Sequence, residues 1–288
     1  MAYIPSYVTL DYLKSLSFDT QKATDDAVLK RFCLEASRTV EVLALGRKFA
    51  PYYETVYFDL PQPDNGLLKM QGRDLLEIDT FTTENDGVTL SASDYVLRSG
   101  ERYETPYDIV EMVSNGSYPY LLYSGTPQKS QKIIGWWGMV PHYSDAWEAT
   151  ASTLTSISGT TLTIDGDVDE LTVIGDAYEY PVLSILKIDD ELMLVGSRNE
   201  ANNTLTVKRG INGTTSASHA AASTIYRFVP DDMIARVARR IAAWYYRRRS
   251  QSRDADRPVI TAHGIMLPSG FPKEIEATMA SFRYAGFY

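Results

Sequence analysis

Two prolines divide this sequence by period. Up to Pro51 the apolar residues recur at helical spacing; between Pro51 and Pro230 they alternate as in strands; beyond Pro230 the helical spacing returns. That order specifies an α+β fold with its helices toward the chain ends. At 288 residues the chain can bury a sizeable core and contain more than one domain.

Residues 9–17 read as a short helix, with Thr9 as N-cap and Leu10, Leu13 and Leu16 on one face. A longer helix follows, capped by Thr24, with Asp25 and Asp26 at the positive end of its dipole and Gly46 at its close. Val28, Leu29, Phe32, Cys33, Ala36, Val40 and Leu43 form its apolar stripe, opposite Lys30, Glu35 and Arg38. Strands are predicted at 53–60, 75–81, 88–90, 94–98, 109–113 and 132–137, with Asn85-Asp86-Gly87 as a hairpin turn. Residues 139–147, with Pro141, read as a linker.

A second β-rich stretch has short strands at 153–157, 160–164, 171–174, 182–188, 192–197, 204–208 and 224–228. Their regular spacing predicts a small sandwich or barrel. From Met139 to Pro230 acidic residues outnumber basic ones by 12 to 5, a composition of its own. The expected organisation is a helical core with β-strands, residues 1–138 together with 230–288, and an inserted all-β domain, 139–229.

The last part begins with Asp231. Eight arginines, Arg236, Arg239, Arg240, Arg247, Arg248, Arg249, Arg253 and Arg257, stand there against four aspartates. The segment is +4 in a chain of −9, which leaves −13 for the rest. At 100° per residue Ile234, Val237, Ala238, Ile241, Trp244 and Tyr245 fall on one side, and Arg236, Arg239, Arg240 and Arg247 on the other. Guanidinium forks grip phosphates or carboxylates, so this face fits DNA, an acidic partner protein or the chain's own excess acid. Arg248 and Arg249 lie nearer the helix end, where positive charge suits the dipole. Pro258 stops this helix. A final helix carries Pro272 in its first turn, Ile275, Met279 and Phe282 on one face, and Gly286 at its end.

Catalytic patterns are missing from the sequence. His142, His219 and His263 share no metal-ligand spacing. Asp165, Asp167 and Asp169 imitate the start of a calcium loop, but its sixth position is Glu170 and its twelfth Asp176. There is no phosphate loop, nucleophile elbow or zinc-protease motif, so no enzyme, metal or cofactor is expected. Lone Cys33 excludes an internal disulfide. No apolar run is long enough to span a membrane, and none is expected as a partner. Twenty tyrosines against nine phenylalanines suit half-buried strands or protein interfaces.

The order of these segments resembles the head–tail connector, or adaptor, family of long-tailed bacteriophages. The likeness begins at Tyr7-Val8-Thr9-Leu10-Asp11-Tyr12-Leu13-Lys14 and runs through Asp25-Asp26-Ala27-Val28-Leu29 to Gly46-Arg47-Lys48-Phe49. It continues with Gly72-Arg73-Asp74-Leu75-Leu76-Glu77-Ile78 and Asp94-Tyr95-Val96-Leu97, and ends with Phe271-Pro272-Lys273-Glu274-Ile275 and Phe282-Arg283-Tyr284. Within the insertion, Leu186–Met193 and Val207–Thr215, with Ala217 and His219, are similar to a β-module of other phage structural proteins. The family resemblance implies a homo-oligomeric ring, commonly a dodecamer, in the virion neck between head and tail, assembled in the host bacterial cytoplasm. Such a ring docks beneath the portal, extends the channel for packaged DNA and receives the next neck or tail-completion protein. On this reading Arg236, Arg239, Arg240, Arg247, Arg248 and Arg249 face the portal or the channel. Phe271, Pro272, Ile275, Met279, Phe282, Arg283 and Tyr284 form an assembly tail that orders on binding. Two alternatives are a sequence-independent DNA-binding protein using the same arginines and a carbohydrate-binding β-protein. The second has only Tyr178, Tyr180 and Tyr226 as aromatics between Thr150 and Arg227.

Overall fold

The computed structural model describes residues 3–15, 25–60, 66–83, 87–100, 104–123, 125–171, 178–250, 259–260, 266–267 and 273–283. The N-terminal segment runs into α1 (Leu10–Ser15), whose Tyr12 N–H donates to Thr9 Oγ1 at 3.4 Å. Leu16 and Thr24 lie outside the described residues. Helix α2 (Asp26–Leu43) buries Leu29, Cys33, Ala36 and Val40, as its stripe requires. It ends in a Schellman motif: Gly46 N–H donates to Glu41 O at 2.8 Å and Leu45 N–H to Val42 O at 3.1 Å.

Seven strands follow. β1 (Tyr52–Phe58), β3 (Leu75–Thr83), β4 (Val88–Leu90) and β7 (Gln131–Trp137) form an antiparallel sheet in the order β1-β7-β3-β4. β2 (Leu67–Lys69), β5 (Tyr95–Arg98) and β6 (Ile109–Met112) form a second, in the order β2-β6-β5. The short β2 was not foreseen from the sequence. Val56, Phe58, Leu68, Phe81, Val110, Met112, Ile133 and Trp137 from the two sheets share one apolar cluster. Adjacent residues on a strand face opposite ways, so Leu76 and Trp136 serve a different cluster, shared with the helices.

The remaining strands close a six-stranded barrel. They are β8 (Trp147–Ser158), β9 (Thr161–Ile164), β10 (Ile185–Ile188), β11 (Glu191–Asn199), β12 (Thr204–Lys208) and β13 (Thr224–Phe228), ordered β10-β11-β12-β9-β8-β13. Pairing of β10 with β13 completes the circle and leaves no edge. Leu154, Leu162, Tyr180, Leu186, Ile188, Met193, Val195, Leu205, Val207 and Ile225 fill the interior. Val182, Ile185, Leu192, Leu194, Ile211 and Phe228 instead join the cluster of α2, helix α3 (Asp232–Ser250) and helix α4 (Lys273–Ala280). A two-stranded pair, β14 (Val259–Ile260) and β15 (Met266–Leu267), lies between α3 and α4 in the chain. The fold is therefore α+β, with four helices among the described residues and mostly antiparallel sheets that include a closed barrel.

Several expectations need correction. The 139–147 segment is packed rather than a linker: Val140, Tyr143 and Ala146 are buried, and Trp147 already begins β8. Met139 N–H donates to Lys48 O at 2.7 Å, tying this segment to the end of α2. The strand expected from Val182 starts only at Ile185, because Leu183 takes a left-handed backbone of φ +76°. Leu171 makes a single bridge to Tyr178, and 172–174 lie outside the described residues.

The N-terminal segment joins all these parts. Ile4 N–H donates to Asn212 Oδ1 at 2.7 Å, Ser6 Oγ to Leu183 O, and Tyr7 N–H to Ser37 Oγ at 3.0 Å. Asn212 and Gly213 both take positive φ, 51° and 90°, as a tight turn demands. A Cβ on Gly213 would stand 1.9 Å from Tyr53 O, so only glycine lets this barrel loop meet β1.

Candidate functional site

Helix α3 starts on Asp231, whose Oδ1 accepts the N–H groups of Met233 and Ile234 at 2.9 and 3.3 Å. Ile234, Val237, Ala238, Ile241 and Ala242 are buried in the cluster shared with α2 and the barrel, and Ala235 is buried as well. Farther along, Tyr245 stacks on Phe32 and its hydroxyl meets Thr39 Oγ1 at 2.9 Å. The helix thus spends one face on the core. Arg236, Arg239, Arg240 and Arg247 are all exposed on the other.

The four are not equivalent. The Arg239 guanidinium lies over the Tyr12 ring, 4.5 Å from its centroid. Arg240 reaches Glu274 on α4 at 2.8 Å, with both side chains largely exposed. Arg236 has no ion-pair partner among the described residues. Arg248 and Arg249 belong to the last turn of α3, and their side chains lie outside the described residues.

Residues of the expected tail sit elsewhere than a free arm would put them. Ile275 and Met279 are buried in the main core, and Phe282 packs edge-on against Phe49 at 5.6 Å. Arg47 Nη1 donates to Phe282 O and Arg283 Nε to Leu43 O, both at 2.9 Å. The apolar face of α4 is therefore occupied by its own chain. Phe271, Pro272 and Tyr284 lie outside the described residues.

Two polar hubs organise the barrel: one ties it to α1, and the other holds its own 209–219 loop. Arg198 grips Asp11 through both Nη atoms, at 2.9 and 3.0 Å, and Asp169 through Nε at 2.7 Å. The bidentate fork ties α1 to the barrel. Glu191 is buried at the start of β11 and accepts from Arg209 Nε at 2.9 Å, Gly210 N at 3.0 Å and Ala217 N at 3.0 Å. His219, its side chain 1% exposed, spans Glu191 at 2.9 Å and Asp189 at 2.7 Å. Burial alone would raise the Glu191 carboxyl, but the bonds from Arg209, Ala217 and His219 hold it below its usual value. The sequence motif around Arg209, Gly213 and His219 is thereby a folded loop centred on one carboxylate. Sequence reading noted both stretches, Glu191 among them, but gave Glu191 no role, because it looks like an ordinary strand-end acid.

The acidic turn that imitates a calcium loop is spent on the fold. Asp165 accepts from Thr153 N at 2.6 Å and Oγ1 at 2.9 Å, and Asp169 pairs with Arg198. No group of three or more His, Cys, Asp or Glu side chains among the described residues is placed to hold a metal ion. No helix among them is long and apolar enough to cross a membrane. A cleft of about 370 Å³ opens between the four-stranded sheet and the β10–β11 turn, lined by Tyr53, Glu77, Asp79, Trp136, Lys187 and Asp190. Lys187 lies over Trp136 at 5.1 Å.

The chain matches no family model, no curated protein and no solved structure.

Proposed function

We propose that this chain is a non-enzymatic subunit of a ring in the neck of a long-tailed bacteriophage. The ring docks on the portal, extends the DNA channel and offers a platform to the next neck or tail protein. One observation carries the reading: α3 commits its apolar face to the core and keeps four arginines exposed, in a chain whose remainder is net negative. A bulk of like charge repels DNA, while a basic helix face offers forks for an acidic protein surface. The order of sequence segments resembling the adaptor family supports the same reading.

The test is assembly with the portal protein of the same phage. Native mass spectrometry of the mixture is expected to show the portal ring gaining a ring of copies of this chain. A portal that keeps its own mass in excess chain removes the reading. Arg236, without an ion-pair partner among the described residues, favours one alternative, sequence-independent DNA binding. That alternative predicts a duplex gel shift by the free chain at low salt that vanishes at high salt.

A further inference from the structure

Two surfaces of opposite character lie on different elements of the chain. The first is an edge of α3, where Met233, Arg236 and Arg240 follow at i, i+3 and i+7 and share a side. Met233 is 44% exposed, an apolar contact beside two guanidinium groups. Arg236 lacks an ion-pair partner among the described residues, and the exposed Arg240–Glu274 pair is of the kind that exchanges readily.

The second surface is the cleft between β1, β3, β7 and the β10–β11 turn. Tyr53 and Trp136 are packed edge to face at 5.3 Å in its wall. Exposed Glu77, Asp79 and Asp190 stand around it. Asp79 accepts the Tyr53 hydroxyl at 2.6 Å, and neither Glu77 nor Asp190 has an ion-pair partner among the described residues. Lys187 is the one cation in the lining among the described residues, which leaves it net negative.

Arginine suits such a cleft better than other cations do. Its stem and planar fork lie against half-buried Tyr53, Trp136 behind it being buried and faced by Lys187, while the fork bonds carboxylates. DNA phosphates would be repelled there. We propose that the cleft of one copy receives the Met233–Arg236–Arg240 edge of α3 from the next copy. The contact rests on the ring reading above and names its subunit interface. Because the two patches differ, the contact is heterologous and repeats head to tail, closing into a ring when the rotation per copy allows. Complementary charge sets the register and speeds encounter. The later turns of α3, with Arg247, remain for the portal.

Cross-linking in the portal-bound complex tests it. The only native cysteine, Cys33, is buried, and burial pushes its thiol up to about 12, so it does not compete. The double variant Arg236→Cys/Asp190→Cys is expected to give, on oxidation, a ladder of dimers, trimers and higher species on non-reducing gels. Each single variant is expected to give dimers at most. A charge swap provides the second arm. Arg236→Glu is expected to weaken assembly at least about tenfold, and Asp190→Arg added to it to restore the wild-type mass. If copies ring the portal without a ladder and without rescue, this contact is wrong while the ring reading stands. If no ring forms, both fall. If Arg236→Glu instead abolishes a low-salt DNA shift and leaves ring mass unchanged, the edge belongs to nucleic acid and the proposal is overturned.

Discussion

Leu45 holds a backbone position that glycine usually takes. It is the C′ residue of the Schellman motif ending α2, at φ +59°, and its side chain is 72% exposed. The sequence pointed to Gly46 as the terminator, and Gly46 does donate the motif's long bond, but the left-handed turn begins one residue earlier. Glycine identity shows that a helix ends, not which residue carries the strain. Leu45→Gly relieves a steric cost of about 1 kcal/mol and loses little packing, against a larger unfolded-state entropy. A rise in stability of about 0.5 kcal/mol is expected from denaturant midpoints. Glu41 is a second residue that the helical stripe could not reveal, since it is a buried acid beside buried Ser37 on a mainly apolar side. Burial raises its carboxyl above the ordinary value, and bonds from the Tyr7 and Tyr3 hydroxyls only partly offset this. A raised carboxyl binds its proton more tightly folded than unfolded. Its stabilisation is therefore full below the unfolded value of about 4.3 and is lost as pH rises through the folded one. Glu191 runs the other way: its contribution is present above about 4.3 and is lost as pH falls through its depressed value. Glu41→Gln keeps an oxygen acceptor for both hydroxyls. It is expected to cost less stability, relative to the parent chain, at pH 8 than at pH 5; equal costs would mean that Glu41 does not titrate above its unfolded value.

At the scale of elements, α4 shows what periodicity reveals and what it does not. Ile275, Met279 and Phe282 are legible as an apolar face, but a face alone does not say whose core it covers. Here it closes over Phe49 and the end of α2, and Arg47 and Arg283 fix it by bonds to backbone carbonyls. Met279→Ala is expected to destabilise by about 3 kcal/mol, read from thermal or denaturant unfolding, as for a fully buried large-to-small change. A loss under about 0.5 kcal/mol would mean that α4 is not docked in solution. Strand limits failed for a related reason. In β11 Leu192 and Leu194 face the helices while Met193 and Val195 face the barrel interior, so both faces are apolar and alternation vanishes. The 139–147 segment misled in the opposite way. Pro141 and its polar neighbours look like a linker, yet Val140, Tyr143 and Ala146 fill a shared core.

For the whole molecule, the open question is whether the barrel behaves as a unit. Composition marks 139–229 as separate, and the barrel has its own filled interior and closed hydrogen-bond circuit. Its outer wall argues the other way. Val182, Ile185, Leu192, Leu194, Ile211 and Phe228 share one cluster with α2, α3 and α4, and the Arg198–Asp11 fork and the Asn212–Ile4 bonds add polar ties. Exposing that wall would cost about 1.5–3 kcal/mol for each large apolar side chain returned to water. Six such residues amount to about 9–18 kcal/mol, comparable with the whole stability of a domain. Separate melting of barrel and helices is then disfavoured, and calorimetry should give one transition whose van't Hoff and calorimetric enthalpies agree. Leu192→Ala at the shared wall and Ile188→Ala inside the barrel should both lower that single midpoint without splitting it. Two resolved transitions, with Ile188→Ala moving only one, would show that the barrel folds as an independent insertion.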